Sequence, residues 1–170
     1  MFKSFVGAAV VASSVFSIQG SAIAADQIKT LPLASAVEVA QAALASCKAS
    51  GYNVTVTIMD SDYAVRLILR DDAAPARTVE IGRRKAYTVI KTGKSSGEFG
   101  KSVPPIVMPD PRPPGWVPPG VNGDDNLITF PGGKAIKMGA ETLGAISVSG
   151  APGGEKDEAC VDAGLAKLKR

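Results

Sequence analysis

The chain has 170 residues, with 19 basic and 16 acidic side chains, two cysteines and no histidine. The missing imidazole excludes Ser-His-Asp and Cys-His catalysis, histidine zinc sites and histidine-ligated haem; a general base must be Asp, Glu, Lys, Tyr or a thiolate. A charge this near balance leaves no electrostatic footprint for nucleic acid or an anionic membrane.

Residues 1–24 read as an export signal. Lys3 supplies a basic start, Ser4 to Ile18 carry no charge, and Ala22-Ile23-Ala24 is a small-x-small cleavage pattern. The apolar run is too short and too rich in serine and glycine to anchor in a bilayer. Cleavage after Ala24 leaves one domain, residues 25–170, in the periplasm or secreted medium, with 18 basic and 16 acidic side chains. Its aromatics are Tyr52, Tyr63, Tyr87, Phe99, Trp116 and Phe130, so its core rests mainly on Ala, Val, Ile and Leu.

The first predicted element is a helix from Leu33 to Ala49. Leu33, Val37, Ala40, Leu44 and Cys47 recur at three and four residues, and Gly51 follows as a stop. Val54 to Met59 alternates and is rich in β-branched residues, and Ala64 to Leu69 repeats the pattern after Asp60-Ser61-Asp62, which predicts a hairpin. Asp71, Asp72 and Pro75 announce a second helix, Arg77 to Thr92, closed by Gly93. Ser95-Ser96-Gly97-Glu98 has capping-box spacing. Pro104 to Pro119 is half proline, eight residues of sixteen, and reads as an extended loop; loops of this length tend to be functional or to meet a neighbouring subunit.

Three further strands are predicted at Asn126–Phe130, Lys134–Met138 and Leu143–Val148, with turns at Pro131-Gly132-Gly133 and around Gly139. A last helix runs from Gly154 to Lys169, acidic at its start and basic at its end. Five strands joined mainly by short turns favour an α/β (α+β) domain with an antiparallel sheet and flanking helices.

Several motifs carry chemistry. Ser149-Gly150-Ala151-Pro152-Gly153-Gly154-Glu155 joins a strand to a helix, where free N–H groups suit a carboxylate or phosphate. It is neither a Walker loop nor a dinucleotide fingerprint, and a plain tight turn explains it equally. Arg83-Arg84-Lys85, with Arg77 two turns earlier, suits carboxylates such as haem propionates, or forms a solvated helix face. Tyr87 is as well placed for the core as for a ligand. Cys47 and Cys160 in an exported chain favour a disulfide, although two buried thiols would look the same. Met59, Met108 and Met138 are soft donors or gap fillers.

Four segments together resemble a known family: Gly51 to Val56 after a helix, Lys85-Ala86-Tyr87-Thr88, Pro131-Gly132-Gly133, and Gly144 to Cys160. The chain is similar to the GlcG/HbpS-type haem-binding family, which includes the C-terminal domain of PduO-type proteins. The resemblance implies a profilin-like fold with a five-stranded antiparallel sheet, assembly as a homo-oligomer, commonly an octamer, and haem as cofactor, with an accessory role in sensing haem or redox stress alongside a sensor protein. It sets the first and last helices side by side, which brings Cys47 towards Cys160. Haem would be held here without histidine, by a methionine, tyrosine, lysine or cysteine donor or with no strong axial bond. The candidate contacts are Arg83, Arg84, Lys85 and Tyr87 on the helix, Gly132 and Gly133 at the turn, and Ser149, Gly150, Gly153 and Gly154 in the glycine-rich connection. Asp60-Ser61-Asp62-Tyr63 replaces the family's glycine-containing hairpin turn. An enzyme of small-carboxylate catabolism, with Lys85, Tyr87 or a carboxylate moving the proton, and a non-catalytic oligomeric scaffold are the alternatives. No catalytic residue and no metal site is assigned, and no membrane insertion is expected.

Overall fold

A computed structural model describes residues 30–168; the predicted export signal and the last two residues lie outside them. The elements are α1 (Leu33–Ala49), β1 (Thr55–Asp60), β2 (Val65–Arg70), α2 (Arg77–Thr92), α3 (Ser96–Gly100), β3 (Gly133–Met138), β4 (Glu141–Ser149) and α4 (Gly154–Leu165). The four strands form one antiparallel sheet in the order β2-β1-β4-β3.

Side-chain alternation along the two central strands sorts the helices into layers. Val56 and Ile58 of β1, with Ile146 and Val148 of β4, face α1 and α4 and form the larger apolar core with Val39, Ala43 and Val161. Met59 and Ala145 point to the opposite face and meet Ala86 and Val89 of α2. Small residues let this second layer approach closely: a Cβ on Gly82 would stand 3.0 Å from Thr57 Oγ1. The first core is almost wholly aliphatic, as the scarcity of aromatics requires.

The Sγ atoms of Cys47 and Cys160 are bonded, with Cα atoms 5.5 Å apart and 113 residues between them in sequence. The bond joins α1 to α4 within the main core. Short turns at the hairpins and the Ser95–Glu98 capping box at the start of α3 complete the frame.

The sheet has four strands, not the five expected. Asn126–Phe130 forms no strand, because side chains of α2 take the backbone groups that a ladder would use. The Ile128 N–H donates to Thr88 Oγ1 at 3.0 Å, and the Leu127 carbonyl accepts from Arg84 Nη2 at 3.0 Å. The final helix also stops earlier than predicted. It ends at Leu165, and Lys167 and Leu168 close it with i to i−3 bonds onto Gly164 and Leu165.

Replacing both Cys47 and Cys160 with alanine is expected to lower unfolding stability by about 3–5 kcal/mol, since the bond closes a loop of more than a hundred residues. Urea denaturation of the oxidised and double-alanine proteins measures this; coincident curves would contradict it.

Candidate functional site

One buried ion pair organises the end of the sheet. Lys85 lies on the inward stripe of α2, in series with Thr78, Gly82 and Val89, and Asp157 lies on the inward stripe of α4, in series with Cys160, Val161 and Gly164. Lys85 Nζ donates to Asp157 Oδ2 at 2.7 Å and to the Val148 carbonyl at 2.9 Å. Asp157 Oδ1 accepts from the Ala151 N–H at 3.0 Å. Both side chains are at most 5% exposed. Burial pushes the Lys85 amine down from the usual lysine range and the Asp157 carboxyl up, and their mutual attraction opposes both shifts. Gly132 makes the space: its φ is +120°, and a Cβ there would stand 2.7 Å from Lys85 Nζ.

Beside this pair lies a cavity of about 320 Å³ between α2, the β4–α4 connection and the proline-rich loop. Its inner end is Lys85, Ser149 and Asp157, all buried. Ile81, Trp116 and Phe130 form apolar walls, and Arg77, Arg112 and Met108 are exposed at the outer end. Three cationic side chains thus face the cavity against one carboxylate. Among the described residues, Arg77 and Arg112 hold no hydrogen bond or ion pair, whereas both oxygens of Asp157 are engaged. The cavity is electropositive, with an aromatic wall, a thioether and two free guanidinium groups.

The predicted contact residues divide among three places. Lys85, Ser149, Gly150, Gly153 and Gly154 line the cavity. Gly132 and Gly133 lie beneath Lys85 as packing. Arg83, Arg84 and Tyr87 are spent on the 118–127 segment. Arg84, 3% exposed, donates to the carbonyls of Pro118, Pro119 and Leu127; burial pushes its pKa down, and no carboxylate bonds it. Arg83 bonds Glu80 and Asn126, and the Tyr87 hydroxyl donates to Asp124 at 2.9 Å.

Asp157, Arg112, Ile81 and Phe130 are site residues that the sequence reading did not select. Trp116, on the proline-rich loop, is half-buried and lines the same cavity. The available signal for Asp157 was its place on the apolar stripe of α4, where an unpaired carboxylate is untenable. Arg112 gave none, since a proline-rich loop has no periodicity. Met108 lines the cavity, while Met59 is buried under α2 and Met138 sits exposed on the edge strand. Among the described residues no cluster of cysteine and acidic side chains could hold a metal ion, and no helix is long and apolar enough to cross a membrane.

A family model described as "Haem degrading protein HbpS-like" matches residues 31–166. Among solved structures, HbpS superimposes with a TM-score of 0.70 at 24% identity, covering 95% of this chain and all of that one. A Klebsiella pneumoniae protein, ORFY, of the DUF336 family gives 0.69 at 20% identity over 86% of this chain and 97% of its own. A PduOC:heme complex gives 0.67 at 19% identity, over 82% and 96%. At these identities the likeness establishes the fold alone. Comparison with curated proteins finds no match.

Two expectations follow from the site's geometry. Arg84→Ala removes the cation that gathers three loop carbonyls; it should cost about 2–4 kcal/mol and open the 104–127 segment to proteolysis, as read by limited digestion. The second concerns pH. Glu80 is held below the usual carboxylate range by its hydrogen bond from Arg83, and Asp124 by the backbone N–H of Asn126. A carboxylate depressed on folding stabilises the protein above its unfolded pKa, and that contribution disappears as pH falls through the folded value. The thermal midpoint should therefore hold from pH 6 to about pH 4 and decline below it, as scanning calorimetry across that range would show.

Proposed function

The chain belongs to the HbpS-like family, and from that premise we propose that it binds haem at the Lys85–Asp157 cavity without a histidine ligand. The observation that carries the proposal is the outer end of that cavity. Two guanidinium groups without partners among the described residues, Arg77 and Arg112, stand there with an indole and a thioether.

The residues present fit the group. Arg77 and Arg112 would pair with its propionates, since guanidinium forks match carboxylates. Trp116, Phe130 and Ile81 offer apolar and aromatic surface to its flat face. Met108, 48% exposed, carries a soft thioether donor at the same opening. Bound haem would supply an iron centre open to exchange of ligands or electrons. The chain's own part is binding and orientation: Arg84 fixes the loop that bears Arg112 and Trp116, and Lys85 with Asp157 fixes the inner end. The haem relation of the family, and the haem held by the PduOC neighbour, support this reading.

Export to an oxidising compartment belongs to the same proposal, supported by the residue 1–24 signal pattern and the Cys47–Cys160 bond. So do assembly of several copies and a sensory role beside a partner protein. Support for assembly comes from exposed apolar side chains on β2 and the loop, among them Val65, Ile68 and Val107, the last 90% exposed.

Titration with ferric haem, followed by absorbance, is the test. Saturable binding at micromolar levels with a spectrum unlike bis-imidazole haem is expected. An Arg77→Ala, Arg112→Ala double variant should bind at least tenfold more weakly. A spectrum of free haem throughout the titration would defeat the proposal.

A further inference from the structure

The inner end of the cavity has chemistry that a flat macrocycle at the opening does not use. Ser149 is only 3% exposed, lines the cavity, and its hydroxyl holds no hydrogen bond among the described residues. Of its neighbours on the same face, Thr57 is also without a partner, but it lies under Gly82 and does not line the cavity; the others are engaged. Ser147 Oγ donates to the Gly82 carbonyl, and Thr78 Oγ1 bonds Thr55 and the Pro75 carbonyl. A buried hydroxyl costs free energy unless it finds a partner, and Ser149 has the cavity before it.

Two further donors converge there. The ammonium of Lys85 has three hydrogens and places two, on Val148 and Asp157. Helix α4, twelve residues long, begins at the cavity with Gly153 as N-cap and no side-chain cap. The N–H groups of Gly154 and Glu155 have no acceptor among the described residues, so the positive end of the helix dipole is open. The carboxylate facing this point, Asp157, has both oxygens occupied, while Glu155 is exposed to solvent. Hydroxyl, ammonium and helix N-terminus together form a donor-rich pocket backed by the apolar side chain of Ile81.

We propose that Ser149, Lys85 and the start of α4 form a seat for one carboxylate on a short aliphatic chain. The carboxylate takes the Ser149 hydroxyl and the free N–H groups, and the chain lies against Ile81 towards Trp116. The seat is at the inner end of the haem cavity but needs no porphyrin, so it stands or falls separately from the preceding proposal. Its carboxylate can come from a haem side chain or from a free small acid.

The test uses haem-free protein titrated with butyrate and, in parallel, with butyramide, followed by backbone amide NMR. Butyrate should shift the Gly154 and Glu155 amides saturably, and butyramide should not. Ser149→Ala should weaken butyrate about tenfold without lowering the thermal midpoint, because the Ser149 hydroxyl makes no bond to lose. Equal binding of butyramide, or unchanged butyrate affinity in Ser149→Ala, overturns the seat. Competition then separates the sources: butyrate that displaces haem, with haem dimethyl ester binding weakly, assigns the seat to a propionate. Butyrate and haem binding together assigns it to a free acid. Failure of haem to bind leaves the butyrate result intact and overturns only the haem proposal.

Discussion

A lysine ammonium buried to 2% exposure is tolerable only if something answers its charge, and at the C-terminal end of β4 the answer is Asp157. The two residues come from helices on opposite faces of the sheet, α2 and α4. Their contact wraps around the end of the sheet, where Val148 supplies a carbonyl and Gly132 leaves room for the ammonium. The pair therefore fixes the two helix layers relative to each other at one place, and the cavity occupies that place. Hydrophobic burial alone gives no such register, because aliphatic surfaces can slide. A paired charge with one good geometry cannot.

The proline-rich loop solves a related problem. Proline offers a carbonyl and no N–H, so a segment with eight prolines in sixteen residues has acceptors in excess and few ways to bond itself. A guanidinium is the complementary object, five donors and no acceptor. Arg84, one residue before Lys85, gathers three carbonyls of the 118–127 segment. Consecutive residues of one helix thus tie down the two walls of the site, Arg84 the loop side and Lys85 the α4 side. Cations bonded in this way hold the frame, while the guanidinium groups of Arg77 and Arg112, on the same cavity, carry no bond among the described residues.

Most of the frame was legible in the sequence. Apolar spacing places α1, and the start signal of Asp71, Asp72 and Pro75 with the Gly93 stop places α2, both with the ends observed. β-Branched alternation finds β1 and β2 to within one residue, and the turns beside them place β3 and β4 to within two. The Asn126–Phe130 segment misleads because Ile128 and Thr129 have strand-like character, yet Thr88 and Arg84, forty residues earlier, take its backbone bonds. The site was legible in part. A glycine-rich turn before an acidic helix start marks one side of the cavity whatever the tertiary structure. The cluster Arg83-Arg84-Lys85 reads as three equivalent cations, and only the fold divides them into a surface pair, a loop clamp and a buried ion pair. Their hundred-degree spacing around α2 is the reason, since neighbours in sequence face different surroundings.

The dependence of the whole on the Lys85–Asp157 pair is tested most directly by a double-mutant cycle in urea unfolding with Lys85→Met, Asp157→Leu and both together. Each single change strands a buried charge and should cost about 3–5 kcal/mol. The double variant strands none and should be far more stable than the sum of the two implies, with a coupling above about 2 kcal/mol. Additive losses, with coupling below about 0.5 kcal/mol, would contradict the central place given to this pair.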